Sequence, residues 1–358
     1  MAFSDLAAAG GHARDETAAL AYFEELRAAA ERARRAAGTV ERSFRVAGRA
    51  VRLSFAGPAM VGPLTAALAH LETAAAPPDL VIHVWDSAST GVPAPAPPWR
   101  PDDHLARGFI RGFNGSRFST ANLPVMDGFS MLDHERGTAV HWDPSAARIT
   151  LHERSFPLRV ILAWWAARHG LQFAHAGAVG RPDGGVLISG AGGSGKSTAA
   201  LACVGSDLAF VSDDHVLLGD EPIPTVHSLY CSAKLHWDHL ERLPHLKRCV
   251  ANGGQAGEDK ALLFLDRAFP AQISAGFPVK AILVPRITGE HDTRVAPITG
   301  AAALAALAPS SMFLLPGEDA AAFRHLAGIA RRVPAFELRS GSDLAQISGA
   351  VARLLAEL

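Results

Sequence analysis

Cysteine is scarce in this chain: Cys203, Cys231 and Cys249 are the only three among 358 residues. They are far apart, odd in number and without CxxC spacing, which argues against a disulfide framework and a zinc site. Such usage fits a reducing cytoplasm. An excess of one charge is also missing, since 34 basic side chains meet 35 acidic ones. Nothing supplies the broad positive field of a phosphate-backbone binder, so nucleic acid is not the expected partner. Long apolar runs are absent as well. No stretch of 18 apolar residues occurs, and the opening MAFSDLAAAGGHARDE has no basic region followed by an apolar core. A membrane is therefore not expected as a partner.

What is present is an ordinary globular balance, 49% hydrophobic and 19% charged, in a chain comfortable for two domains. Helical spacing of Leu20, Phe23 and Leu26 predicts an amphipathic helix from Asp15 to Ala37, stopped at Gly38. Phe44 and Val46, then Val51, Leu53 and Phe55, alternate around Gly48 as a hairpin does. A helix over Val61 to Glu72 and a strand over Leu80 to Trp85 follow. GVPAPAPPWRP, Gly91 to Pro101, reads as an extended linker or surface loop. Ala139 to Trp142 and Arg148 to Leu151 read as a second hairpin around Asp143 and Pro144, and Pro157 to His169 as a hinge helix burying Trp164 and Trp165.

After Gly170 short apolar strands alternate with helices: Leu171 to Ala174, Val186 to Ser189, Lys196 to Val204, Leu208 to Ser212, Val279 to Val284, Val333 to Leu338 and a closing helix Asp343 to Leu358. That alternation predicts an α/β layer. The expected organisation is a smaller α+β domain over 1–155, with a possible substrate-recognition role, and an α/β P-loop domain over 156–358.

GGVLISGAGGSGKSTAALACVG places Gly190, Gly195, Lys196 and Ser197 in G-x-x-x-x-G-K-S spacing, between an apolar strand and a helical run. That is the context a P-loop requires. Gly190, Gly192, Gly193 and Gly195 let successive backbone N–H groups turn inward around phosphates, with Ser194 among them and Thr198 following. Lys196 is expected to neutralise the β- and γ-phosphates of ATP, and Ser197 to place its hydroxyl on Mg²⁺. P-loops serve ATPases, GTPases and kinases alike, so the motif does not choose the chemistry.

Downstream, LAFVSDD ends in Asp213 and Asp214. One carboxylate there can orient Mg²⁺ and the other can accept the proton of an attacking hydroxyl. The alternative is a solvated acidic turn. Upstream, His175 closes a strand in LQFAHAGAVG, a position as compatible with a structural role as with a functional one.

Together HAGAVG, GGVLISGAGGSGKST and FVSDDHVLL, spanning Ala174 to Leu218, resemble the core of the HPr kinase/phosphorylase family. The resemblance implies an HPr-kinase-type fold for the C-terminal half. It implies Asp213 as the base that deprotonates an acceptor serine, Asp214 as its metal-side neighbour, and His175 as a residue close to the transferred phosphate. TVHSLYCSAKL, Thr225 to Leu235, departs from that family's arginine- and glycine-rich signature. In this the chain is more similar to divergent HPr-kinase-like proteins, among them the lasso-peptide serine kinases.

Lys234, Lys260 and Arg286 are candidate cations for closing over a γ-phosphate, each equally readable as a surface charge. His236 and His239, in HWDHLERLPH, form an i, i+3 pair on a predicted helix and lack a third metal ligand. Two functions stay open. One is an ATP-dependent kinase acting on a hydroxyl of a peptide, protein or small molecule; the other is a nucleotide-binding switch with no phosphorylated acceptor. A homo-oligomer is compatible with either.

Overall fold

The structure is a computed structural model and describes residues 16–122, 128–253, 259–312 and 319–358. Asp15, the expected start of the first helix, and the opening segment inspected for a targeting signal lie outside those residues. The chain divides into two units. The first comprises Met1–Thr65 with Glu72–Arg168; the second comprises Ala66–Leu71 with His169–Leu358.

In the first unit, helix α1 (Glu16–Ala37) buries Ala19, Phe23, Leu26, Ala30 and Ala33, which recur on one helical face. Glu16 in its first turn and Arg34 and Arg35 in its last complement the helix dipole. The next elements are strands β1 (Thr39–Val46) and β2 (Arg49–Ala56). Val46 pairs with Arg49, and the two residues between them both have positive φ, Ala47 at 46° and Gly48 at 80°. Such a turn matches the twist of its strands. The sheet is completed by β3 (Leu80–Asp86), β4 (Phe118–Asn122), β5 (Phe129–Asp133) and β6 (Thr138–Asp143), in the order β1-β2-β3-β6-β5-β4. β3 runs parallel to both β2 and β6.

Two expectations in this half are corrected. Arg148 to Leu151 do not pair with β6, which lies instead between β3 and β5. Ser145 accepts from the Ala147 N–H and Thr150 from the Glu153 N–H. These hydroxyls start a 3₁₀ turn and helix α3 (Leu151–Ser155), a capping preference that overrides the alternation. The helix over Val61 to Glu72 is also not continuous. It is α-helical only as α2 (Val61–Thr65), then tightens to 3₁₀ over Ala66–Leu71, the segment counted with the second unit. Helix α4 (Arg159–Ala167) buries Trp164 and Trp165 as expected.

The second unit holds a nine-stranded sheet running β10-β8-β9-β15-β12-β11-β7, with β17 on β15 and β16 on β17. Its strands are β7 (Leu171–His175), β8 (Gly177–Arg181), β9 (Gly184–Ile188), β10 (Ala209–Ser212), β11 (His215–Gly219), β12 (Thr225–Ser228), β15 (Gly276–Ile287), β16 (Arg294–Ile298) and β17 (Ala335–Ser340). A separate ribbon pairs β13 (Ser232–His236) with β14 (Lys260–Phe264). One apolar cluster joins Val186, Ile188 and Leu283 of the sheet to Ala199–Leu201 of helix α5 (Lys196–Leu201). Another joins Leu187 and Ile282 to helices α7 (Gly300–Met312) and α8 (Asp319–Arg332) through Leu307 and Leu326. Alternate strand residues thus feed opposite faces, and helices cover both, the layering of a mixed α/β fold. Between α5 and α7 the chain forms the short helix α6 (Trp237–Glu241), and after β17 it closes with helix α9 (Ala345–Glu357).

Candidate functional site

Strand register brings the candidate residues to one end of this sheet. Ile188, the last residue of β9, pairs with Gly177, and Ser212, the last of β10, pairs with Ala178. The glycine-rich loop that follows β9 and the Asp pair that follows β10 therefore flank the start of β8. His175 is separated from β8 by one residue and pairs with His215 across β7 and β11. Gly177 has no room for a side chain: a Cβ there would lie 3.0 Å from Ser212 O and 3.3 Å from both Ala200 Cβ and Asp213 Cα. Gly177, the first glycine of HAGAVG, sets how closely the loop helix and the Asp pair approach.

Within the loop, Gly193 and Gly195 take positive φ of 80° and 98°, a region that L-residues with side chains avoid. Gly190 has another reason to lack a side chain, since a Cβ would meet Ser194 Oγ at 2.6 Å. Lys196 is buried and folds back over the loop, its Nζ donating to Gly190 O at 2.8 Å and Ala191 O at 3.2 Å. Burial pulls its pKa down, while Asp214 and Asp213 pull it up. Ser189 Oγ, Ser194 Oγ and Asp213 Oδ1 are buried without a hydrogen-bond partner among the described residues. Orphaned polar atoms are costly unless something outside the chain satisfies them.

The two carboxylates sit in contrasting environments. Asp213 is 1% exposed. Burial, reinforced by the charge of Asp214, pushes it up to about 7, against the opposing pull of a hydrogen bond from Ser197 and the charge of Lys234. Asp214 is half-buried, and that desolvation by itself raises a carboxyl. The charges of His215, His175 and Lys234 and a hydrogen bond from His175 outweigh burial and hold Asp214 well below the usual range. His175 Nε2 lies 2.6 Å from Asp214 Oδ1, and His215 Nδ1 lies 3.5 Å from Oδ2. The imidazoles stack, with centroids 5.6 Å apart and planes at 23°. The His175 N–H donates to Ser311 Oγ, which fixes the strand end from the helix side.

His175, Lys196, Ser197, Asp213 and Asp214 thus come together, with Gly190 to Gly195 beside them and Thr198 in the first turn of α5. Lys234 joins them electrostatically. Arg286 is engaged elsewhere, 3.6 Å from Glu337. His236 is not helical: it ends β13, and α6 starts after it. Its ring meets that of His239 at 5.9 Å, and no group of three potential metal ligands occurs among the described residues. His215, Ser212 and Ser311 are parts of this cluster that sequence reasoning passed over. Ser212 carried a signal, a serine just before the acidic pair, and its Oγ accepts from the N–H groups of Asp214 and His215. Ser311 is too distant in sequence for any local pattern to reveal.

The described helices include none long and apolar enough to cross a membrane. No family model matches the chain, and no curated protein does. Among solved structures, the Hpr(Ser) kinase/phosphatase from Coxiella burnetii is similar at 14% identity, over 52% of this chain and 99% of that one, with a TM-score of 0.28. A likeness that shallow carries no argument about function, which has to rest on the residues themselves.

Proposed function

We propose that the protein is an ATP-dependent kinase that transfers the γ-phosphoryl group to a hydroxyl of a peptide or protein. The observation that carries this reading is Asp213: a buried carboxyl beside the glycine loop, tied to Ser197, with one oxygen left without a partner and a pKa near neutrality. A base poised there takes a hydroxyl proton at physiological pH without a large energetic penalty. The acceptor oxygen bonds to the γ-phosphorus as the bond to the β,γ-bridging oxygen breaks, Asp213 receives the acceptor's proton, and ADP leaves.

The loop fits the phosphates. Lys196 exchanges its hold on Gly190 O and Ala191 O for the β- and γ-phosphates, and the Gly190–Ser194 cradle keeps side chains out of their way. Ser197 and Asp214 are the oxygen donors suited to Mg²⁺, Asp214 because it stays ionised. A bound magnesium neutralises charge on the triphosphate. His175 holds Asp214 in place.

The lowering pull of Ser197 on the Asp213 carboxyl favours exchanging the two carboxylate roles, since it sets Asp213, not Asp214, beside the expected metal donor. Asparagine substitutions distinguish the assignments. Asp213→Asn is expected to keep Mg·ATP affinity by calorimetry while transfer to a pool of host peptides, read by mass spectrometry, falls about 10²- to 10⁴-fold. Asp214→Asn is expected to raise the Mg²⁺ requirement. The opposite pattern exchanges the roles. Binding of Mg·ATP with no phosphorylated acceptor for the wild type replaces the kinase with a nucleotide switch.

A further inference from the structure

β15 outlasts its neighbour. β9 leaves the ladder at Ile188, paired with Leu283, whereas β15 continues to Ile287 alongside the loop that β9 feeds. Alternate residues of β15 share a face. Ala281 and Leu283 are fully buried in the cluster that includes α5, and Pro285 is buried after them. Ile287 is next in that row, yet it is 67% exposed, the highest value among the exposed large hydrophobics of the described residues. Gly195 explains why. It is the loop residue beside Ile287, with its Cβ position 3.5 Å from Ile287 Cγ1 and 3.8 Å from Cδ1, and it has no side chain to cover the isoleucine. Single exposed apolar residues are common and need no explanation on most of a surface. This one extends a core row to the rim of the phosphate loop, beside Gly195. The flanking Arg286 does not compete for the place, because it lies on the opposite face with Glu337.

We infer that Ile287 is the apolar seat for the nucleoside of the bound nucleotide, packing against its base or ribose while the loop holds the phosphates. The inference rests on the kinase reading only as far as the phosphate loop. It separates the binding energy into a charged part from the loop and an apolar part from the end of β15. The apolar part favours a nucleotide over bare polyphosphate.

The test compares Mg·ATP with Mg·tripolyphosphate, by calorimetry on the full chain. Wild type is expected to bind ATP more tightly. Ile287→Ser is expected to weaken ATP about tenfold, the scale of losing one apolar side-chain contact, with tripolyphosphate affinity unchanged. Ile287→Leu is expected to keep the wild-type preference. Lys196→Ala is expected to lose both ligands, which marks the loop's share. Because Ile287 is exposed, unchanged melting curves are expected for both variants and show that the fold is intact. Equal weakening of ATP and tripolyphosphate in Ile287→Ser overturns the seat, as does no weakening of either, or a wild type that binds the two equally. If wild type binds neither ligand, the phosphate-loop reading itself fails and takes this inference with it.

Discussion

Asp213 and Asp214 are adjacent in the chain and opposite in electrostatics, because only one of them faces imidazoles. The consequence can be read from pH. A base with its pKa near 7 is protonated below that value, so kcat/KM for phosphoryl transfer is expected to fall about tenfold per pH unit below 7 and to level off above it. A profile flat from pH 5.5 to 8.5 removes Asp213 as the base. Stability gives the same group an independent signature. Its folded pKa is raised above the ordinary 3.8, so the stability it lends is fully present below pH 4 and lost as pH rises through 7. Asp213→Asn carries no charge to bury. The stability of the variant relative to wild type is therefore expected to increase by up to ~1.4 kcal/mol per pH unit between about 4 and 7, read as a widening gap in melting temperature, and to level off above 7. Asp214, held low, titrates outside that window.

At the scale of elements, the site depends on how closely β8, β10 and α5 approach, and Gly177 sets that distance. Gly177→Val is expected to destabilise the unit by roughly 1–3 kcal/mol, since backbone and not a flexible side chain stands in the way. It is also expected to lower transfer more than ATP affinity, because Asp213 Cα is among the atoms displaced. A variant with wild-type turnover would show that the approach is not needed. Much of this arrangement was legible in the residues. The loop spacing, strand before and helix after, marked 190–197, and the apolar runs marked β7, β9 and β10. The α/β alternation of the second half was legible because its buried strands are short, nearly continuous apolar runs set apart by glycine and polar residues. What escaped reading was governed by partners remote in sequence. β6 chose β3 and β5 over the adjacent Arg148 to Leu151, whose caps favour helix. His215 gained its place only through the antiparallel register with His175, and Ile287 is conspicuous only once β15 is seen to outlast β9.

At the scale of the whole molecule, Ala66–Leu71 lies within the first half of the sequence but belongs to the second unit. The bonds are specific. The Cys231 N–H donates to Ala67 O at 2.8 Å, His70 Nε2 lies 2.7 Å from Ser228 Oγ, and the Ser228 hydroxyl donates to Val211 O, two residues before Asp213. Ala67, Leu68 and Leu71 are buried. A fragment covering 169–358 holds the whole glycine loop and both carboxylates, yet lacks this segment. It leaves the Cys231 N–H unpaired, at a cost of about 1–3 kcal/mol, and forgoes burial of two leucines, about 1.5–3 kcal/mol each. The fragment is therefore expected to melt roughly 10 °C or more below a sample supplied with a peptide spanning 62–74. Thiol labelling gives a local reading of the same event. In the full chain burial and Asp266 push the Cys231 thiol up, and its Sγ contacts Ala66 O and Asp266 Oδ1. Cys231 is expected to resist a thiol reagent in the full chain, to react in the fragment, and to be protected again by the peptide, each followed by mass spectrometry. A fragment that melts identically with and without the peptide and keeps Cys231 protected would show that the second unit is complete from His169 onward, and that the bonds from Ala67 and His70 contribute nothing measurable to the strand that carries the acidic pair.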